Sequence, residues 1–111
     1  MKRGDLVTIA VSGDYGKPRP ALVVQADAFV ALPSVTVLRL TSELHAEHLL
    51  RVTIHPSPDN GLRVASQVMI DKAVTVPRER IGSVIGHLET IEIQEVSRAL
   101  MRFLGLSALT A

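Results

Sequence analysis

Apolar and polar positions change in short bursts along most of this chain and settle into a helical period only near its C-terminal end. Residues 6–11 form an apolar run with little alternation, the pattern of a strand buried on both faces. A polar, glycine-containing loop over 12–17 separates it from a second strand at 21–25. Residues 26–33 are apolar without a clear period and read as a loop with a helical turn. Val35-Thr-Val-Leu-Arg-Leu40 is β-branched and alternating, so a third strand is expected there. Residues 49–54 continue as a strand until His55-Pro-Ser-Pro-Asp-Asn-Gly61, where two prolines and Asn-Gly stop it. Two further strands are expected at 63–70 and 73–76, with Asp71-Lys72 as the turn between them. A proline-led helical turn at 77–80 and a last short strand at 83–87 follow.

From residue 91 the period changes. Leu88, Ile91, Val96, Leu100, Phe103 and Leu104 lie largely on one helical face, while Glu92, Glu95, Arg98 and Arg102 lie mainly elsewhere. A helix over 91–104 is expected, with Thr90 as its N-cap and Gly105 as its terminator. About seven short strands and one terminal helix point to a mainly β fold. The expected architecture is a single domain, a compact barrel or strongly bent sheet with the helix packed on it.

Composition narrows the classes. Phe29, Phe103 and Tyr15 are the only aromatic residues, and tryptophan is absent, so the core is aliphatic. Nucleic-acid modules that stack bases on exposed aromatic platforms are therefore disfavoured. A net charge of +1 gives no global basic field, so an anionic partner would have to meet a local patch. The absence of cysteine removes disulfides, thiolate catalysis and thiolate metal sites, and suits the cytoplasm. No apolar run approaches membrane-spanning length, so no membrane partner is expected.

The candidate chemistry centres on Gly16-Lys-Pro-Arg-Pro-Ala-Leu-Val-Val-Gln25. Prolines hold the residues before them extended, so Lys17 and Arg19 are stiffly mounted where a loop enters a strand. An aimed guanidinium suits a phosphate or carboxylate; the plainer alternative is a strand opener with its charge in water. Thr41-Ser42 follow the third strand. A hydroxyl there can meet Arg19 at one rim of a small barrel and help hold a phosphodiester, or it can simply cap the next segment. Asp71 could orient an arginine or a substrate hydroxyl, and Lys72 could touch a phosphate. His45 and His48 lie three apart beside Glu43 and Glu47, without the spacing of a hydrolytic metal site; a solvated loop is the reading adopted, and no metal or cofactor is expected.

Arg3-Gly-Asp-Leu-Val7, Gly16 to Gln25, Leu40-Thr-Ser42, Ser66-Gln-Val-Met-Ile-Asp71 and Arg78-Glu-Arg-Ile-Gly82 together resemble the MazF/PemK (Kid) toxins of toxin–antitoxin operons, in order and spacing, over nearly the whole chain. The resemblance implies an SH3-like barrel of the CcdB/PemK type and a homodimer neutralised by a cognate antitoxin. It also implies a metal-independent endoribonuclease that cuts single-stranded RNA by 2′-OH attack, leaving a 2′,3′-cyclic phosphate and a 5′-OH. The family's catalytic arginine falls on Arg19, its catalytic threonine on Thr41, and an Asp used by some members on Asp71. Lys17, Ser42 and Lys72 are the further substrate-binding candidates. Met69, Lys72, Val74 and Pro77 depart from the family's usual residues. The alternative in the same fold is a CcdB-like toxin that binds DNA gyrase without nuclease activity, and a third reading is a peptide-binding adaptor.

Overall fold

The strand patterns form β1 (Asp5–Ile9), β2 (Arg19–Val23), β3 (Ser34–Thr41), β4 (Arg51–Ile54), β5 (Ser66–Pro77) and β6 (Ile81–His87). These assemble into a six-stranded, wholly antiparallel sheet in the order β4-β5-β3-β2-β1-β6. One helix, α1 (Thr90–Leu104), ends the fold. This computed structural model describes residues 1–10, 17–46 and 48–106. Val11 and residues 12–16 of the loop expected over 12–17 lie outside the described residues, as does Glu47.

Both faces of the sheet are buried along its middle, as the unalternating first strand implies. Leu6, Leu22, Leu38, Leu40, Val68 and Ile70 point to one side, where Val96 and Ala99 of α1 cover them. Val7, Ile9, Ala21, Val23, Val35, Val37 and Val76 fill a second cluster on the other side. Each fully buried aliphatic side chain contributes about 1.5–3 kcal/mol relative to exposure, so the two clusters, and not any polar contact, hold the strands in register.

Asp71-Lys72 is the main correction to the expected elements. No turn separates residues 66–77; they form one continuous strand. The charged pair sits instead in a large irregularity. Between the Leu38–Ala73 and Leu40–Val68 pairs, β3 has the single residue Arg39 where β5 has 69–72. A bulge bends its strand and increases local twist. Here it lets one strand serve two neighbours, its first half lying between β3 and β4 and its second half against β3 alone.

The two sheet edges are tied by the breaker loop between β4 and β5. Asn60 is 1% exposed. Its side chain accepts from the Ser57 and Leu62 N–H groups and donates to the His55 carbonyl, which knots the loop on itself. The knot sits directly on β6. The His87 N–H donates to the Asp59 carbonyl at 2.9 Å, and a Cβ on Gly86 would lie 2.4 Å from the Asn60 carbonyl carbon. Gly61, at φ +70°, has no room for a side chain either, with the Ile85 carbonyl oxygen 2.1 Å from where its Cβ would be.

At α1 the cap is shifted by one residue: Glu89 and not Thr90 is the N-cap, and the Glu92 carboxylate accepts from its N–H at 2.9 Å. Gly105 ends the helix at φ +68°, and the Leu106 N–H returns to the Met101 carbonyl. The apolar stripe is only partly used. Leu88, Val96 and Ala99 are buried, but Ile91, Phe103 and Leu104 are exposed, Phe103 and Leu104 in the last turn. No described helix is long and apolar enough to cross a membrane. Residues 27–29 and 78–80 form 3₁₀ turns, the second preceded by Pro77.

Candidate nucleic-acid interface

The antiparallel pairing of β2 and β3 brings the key residues to one end of the sheet. Ala21 pairs with Arg39, Leu22 with Leu38 and Val23 with Val37, and beyond this ladder Arg19 is the first residue of β2 and Thr41 the last of β3. Both belong to the stripes that carry the second cluster, Arg19 after Ala21 and Val23, Thr41 after Val35, Val37 and Arg39. The aliphatic stripe thus ends at the rim in polar groups. Pro20 contributes to the opening, because it has no N–H to give and the β2–β3 ladder begins only after it, at Ala21.

A groove of about 730 Å³ lies at this rim. Arg19, Arg39, Thr41 and Ser42 line it together with Gly61 to Val64, Met69 and Ile85. Of the residues singled out from sequence, Arg19, Thr41 and Ser42 come together here. Lys17 is exposed next to the groove-lining Pro18, while Asp71 and Lys72 lie outside the lining set.

Arg19 is exposed, and among the described residues its guanidinium has no hydrogen-bond or ion-pair partner. Its five donors and fixed positive charge are therefore available to an anion. Thr41 has one of its two lone pairs committed: its Oγ1 accepts from the Glu43 N–H at 3.1 Å, closing a short turn where no helix follows. That bond leaves the hydroxyl proton available to donate.

The loop after Thr41 is fixed from below. Gln67, 5% exposed, opposes Thr41 on β5. Its Oε1 accepts from the His45 N–H and its Nε2 donates to the His45 carbonyl, both at 3.0 Å, with a further bond to Thr53 Oγ1. A side-chain amide here mimics one rung of a strand ladder and sets the path of residues 42–45. His48 Nδ1 accepts from the Leu50 N–H, which places that ring in the loop's own turn.

Asp71 faces a different arginine. Arg51 Nη1 donates to its carboxylate at 2.6 Å, and Lys72 Nζ is 3.9 Å away. The Arg51 hydrogen bond holds the Asp71 carboxyl below its ordinary pKa, against a smaller opposing push from burial. This makes Asp71 a carboxylate that keeps its charge and orients Arg51. Of the departures from the family pattern, Met69 alone lines the groove.

Sequence reasoning missed Arg39 and Arg63, which both line the groove. Arg39 was legible in hindsight of alternation, two residues before Thr41 on the same stripe. Arg63 gave no local signal, because only the knotted loop brings it to the rim.

Fold and groove define a small antiparallel β protein that presents guanidinium and hydroxyl groups at one end of its sheet. Residues 2–104 match the family described as PemK-like, MazF-like toxin of type II toxin-antitoxin system. The chain is 44% identical over 108 residues to the probable endoribonuclease MazF of Mycolicibacterium smegmatis, covering 96% of this chain and 99% of that protein. An endoribonuclease from a mycobacterial species, solved in complex with its cognate antitoxin, superposes with a TM-score of 0.81 at 23% identity, over 96% of this chain and 97% of that one. The Mycobacterium tuberculosis toxin MazF-mt6 superposes with a TM-score of 0.77 at 25% identity, covering 92% and 98% of the two chains. The protein belongs to the PemK-like, MazF-like toxin family of type II toxin–antitoxin systems.

Proposed function

We propose that this toxin is a metal-independent endoribonuclease that cleaves single-stranded RNA at the β2–β3 rim. The observation that carries the reading is the presence of Arg19 and Thr41 in one groove, with no partner for the Arg19 guanidinium among the described residues. The name of the M. smegmatis relative supports the same activity.

The chemistry needs little covalent help. The ribose 2′-oxygen attacks the adjacent phosphorus, the P–O5′ bond breaks, and the products carry a 2′,3′-cyclic phosphate and a 5′-OH. One proton leaves the 2′-OH and one joins the departing 5′-oxygen. Negative charge builds on the non-bridging oxygens between these events, and the groups that meet it supply the acceleration. Arg19 is that clamp: with a pKa above about 12 it holds charge and does not act as the base. Thr41 donates its free proton to the second non-bridging oxygen, and Ser42 binds beside it. Lys17 and Lys72 add positive charge at the approach. Asp71 steadies Arg51 in place of taking the 2′-OH proton, because a carboxylate engaged by a guanidinium is a weak base. In the cell the protein works as a cytoplasmic homodimer, and a cognate antitoxin neutralises it.

The test is cleavage of a long RNA in EDTA. Wild type should produce ends with 2′,3′-cyclic phosphate and 5′-OH, and Arg19→Ala and Thr41→Ala should each lower the rate by about a hundredfold, as on losing a transition-state contact. Cleavage that neither substitution changes overturns the reading.

A further inference from the structure

The groove lining mixes two chemistries. β2 and β3 bring Arg19, Arg39 and Thr41, groups suited to a phosphate. The loop before β5 and β5 itself bring the aliphatic Leu62, Val64 and Met69 together with one guanidinium, that of Arg63. A phosphate has no use for an aliphatic lining. A nucleobase does, because its faces are apolar and its edge is polar.

Arg63 is exposed, and no described residue holds its side chain by a hydrogen bond or ion pair. Its backbone is placed by a stiff support. Asn60 knots the loop from inside, and Gly61 and Gly86 let it seat on β6 with no gap for a side chain. A mount of this kind preorganises whatever follows it, which lowers the ordering cost of recognition. Among the described residues no aromatic lines the groove, and the apolar support that residues 62–64 and Met69 offer a base is aliphatic, with the guanidinium plane beside it.

We propose that residues 62–64 with Met69 form a base subsite, and that Arg63 selects the base through two parallel hydrogen bonds. The proposal rests on the ribonuclease reading above. The planar fork of an arginine needs two adjacent acceptors on one edge. Guanine offers O6 and N7, and cytosine offers O2 and N3. Adenine sets a donor amine beside each of its edge acceptors, and uracil places its N3–H between two carbonyls. The subsite therefore prefers guanine or cytosine over adenine or uracil at one position flanking the cleaved bond.

The experiment is to digest one long RNA with wild type, Arg63→Ala and Arg63→Lys, and to map every cut by sequencing the 5′-OH ends. Thermal unfolding of each variant confirms that it is folded. Wild type should show a flanking position enriched in guanine or in cytosine, and which one identifies the source of the acceptors. Arg63→Ala should lose that preference, slowing cuts at preferred sites by about tenfold or more while leaving sites with other bases near their wild-type rate. Arg63→Lys, without the fork, should not restore it. Equal slowing at all sites marks a phosphate contact and overturns the subsite. An enriched base that survives Arg63→Ala, or no enriched base in wild type, also overturns it. Failure of wild type to cut any RNA overturns the ribonuclease reading itself.

Discussion

Arg19 and Arg51 are two arginines in very different circumstances. Arg51 is 11% exposed and spends its charge on Asp71 at 2.6 Å, on the β4–β5 side of the sheet. Arg19 stands exposed between two prolines with no partner among the described residues. A guanidinium already matched to a carboxylate contributes to the fold and has little left for a ligand. An unmatched one adds nothing to stability and repays its position only when an anion arrives. On the proposed reading Arg51 serves the architecture and Arg19 the chemistry, and the comparison breaks if the two respond alike to removal.

The largest effect should come from Arg19→Ala. RNA cleavage should fall by about a hundredfold or more, while the unfolding free energy stays within about 0.5 kcal/mol of wild type, as for exposed substitutions away from packing. Arg51→Ala should do the opposite. Leaving Asp71 half-buried without its charged donor should remove about 2 kcal/mol of stability in urea unfolding. At a temperature where the variant is folded, cleavage should stay within a few fold of wild type. Equal loss of activity in both variants would sink the division of labour.

Gln67 tests the proposed site from behind, because it bonds to His45 in the loop after Thr41 and is not among the groove-lining residues. Gln67→Ala should lower kcat about tenfold with little change in KM, since the hydroxyl is misplaced while the charged groove is intact. It should also cost about 1 kcal/mol from the lost bonds to His45. A rise in KM at constant kcat would make Gln67 a binding residue instead.

How much of this was legible in the chain depends on the range of the interaction. That Arg19 and Thr41 share one rim was readable because their signals are local: prolines fix a backbone, and alternation fixes a stripe. The two-faced burial of β1 was readable for the same reason. Asp71-Lys72 misled because a charged pair in an apolar run looks like a turn, and only its pairing with both β3 and β4 shows that the strand bends through it. Thr90 misled because a better cap pair, Glu89 with Glu92, lay one residue away. The exposure of Phe103 depends on where α1 outruns the surface it covers. Arg63 depends on a loop closed through buried Asn60 onto β6. Both are tertiary facts without a local signature.

The smallest effect, and the most specific, is in the acid limb of stability. Asp71 has its carboxyl held below the ordinary value of 3.8, chiefly by the Arg51 hydrogen bond. In the unfolded chain that hold is absent, so near the ordinary carboxylate value the unfolded state binds more protons than the folded one. Stability then rises with pH through this window. The Asp71 contribution is complete above the unfolded pKa and is lost as pH falls through the lower folded value. Melting curves taken from neutral pH down through the carboxylate range should show this loss in wild type. In Asp71→Asn the slope over the same range should be shallower, because the group that titrates is gone while its shape remains. Arg51→Ala should flatten it as well, by returning Asp71 toward its ordinary value. Arg19→Ala should leave the slope unchanged, since no carboxylate depends on that guanidinium among the described residues. A slope that Arg19→Ala flattens as much as Arg51→Ala does would mean that the rim arginine also holds up the fold.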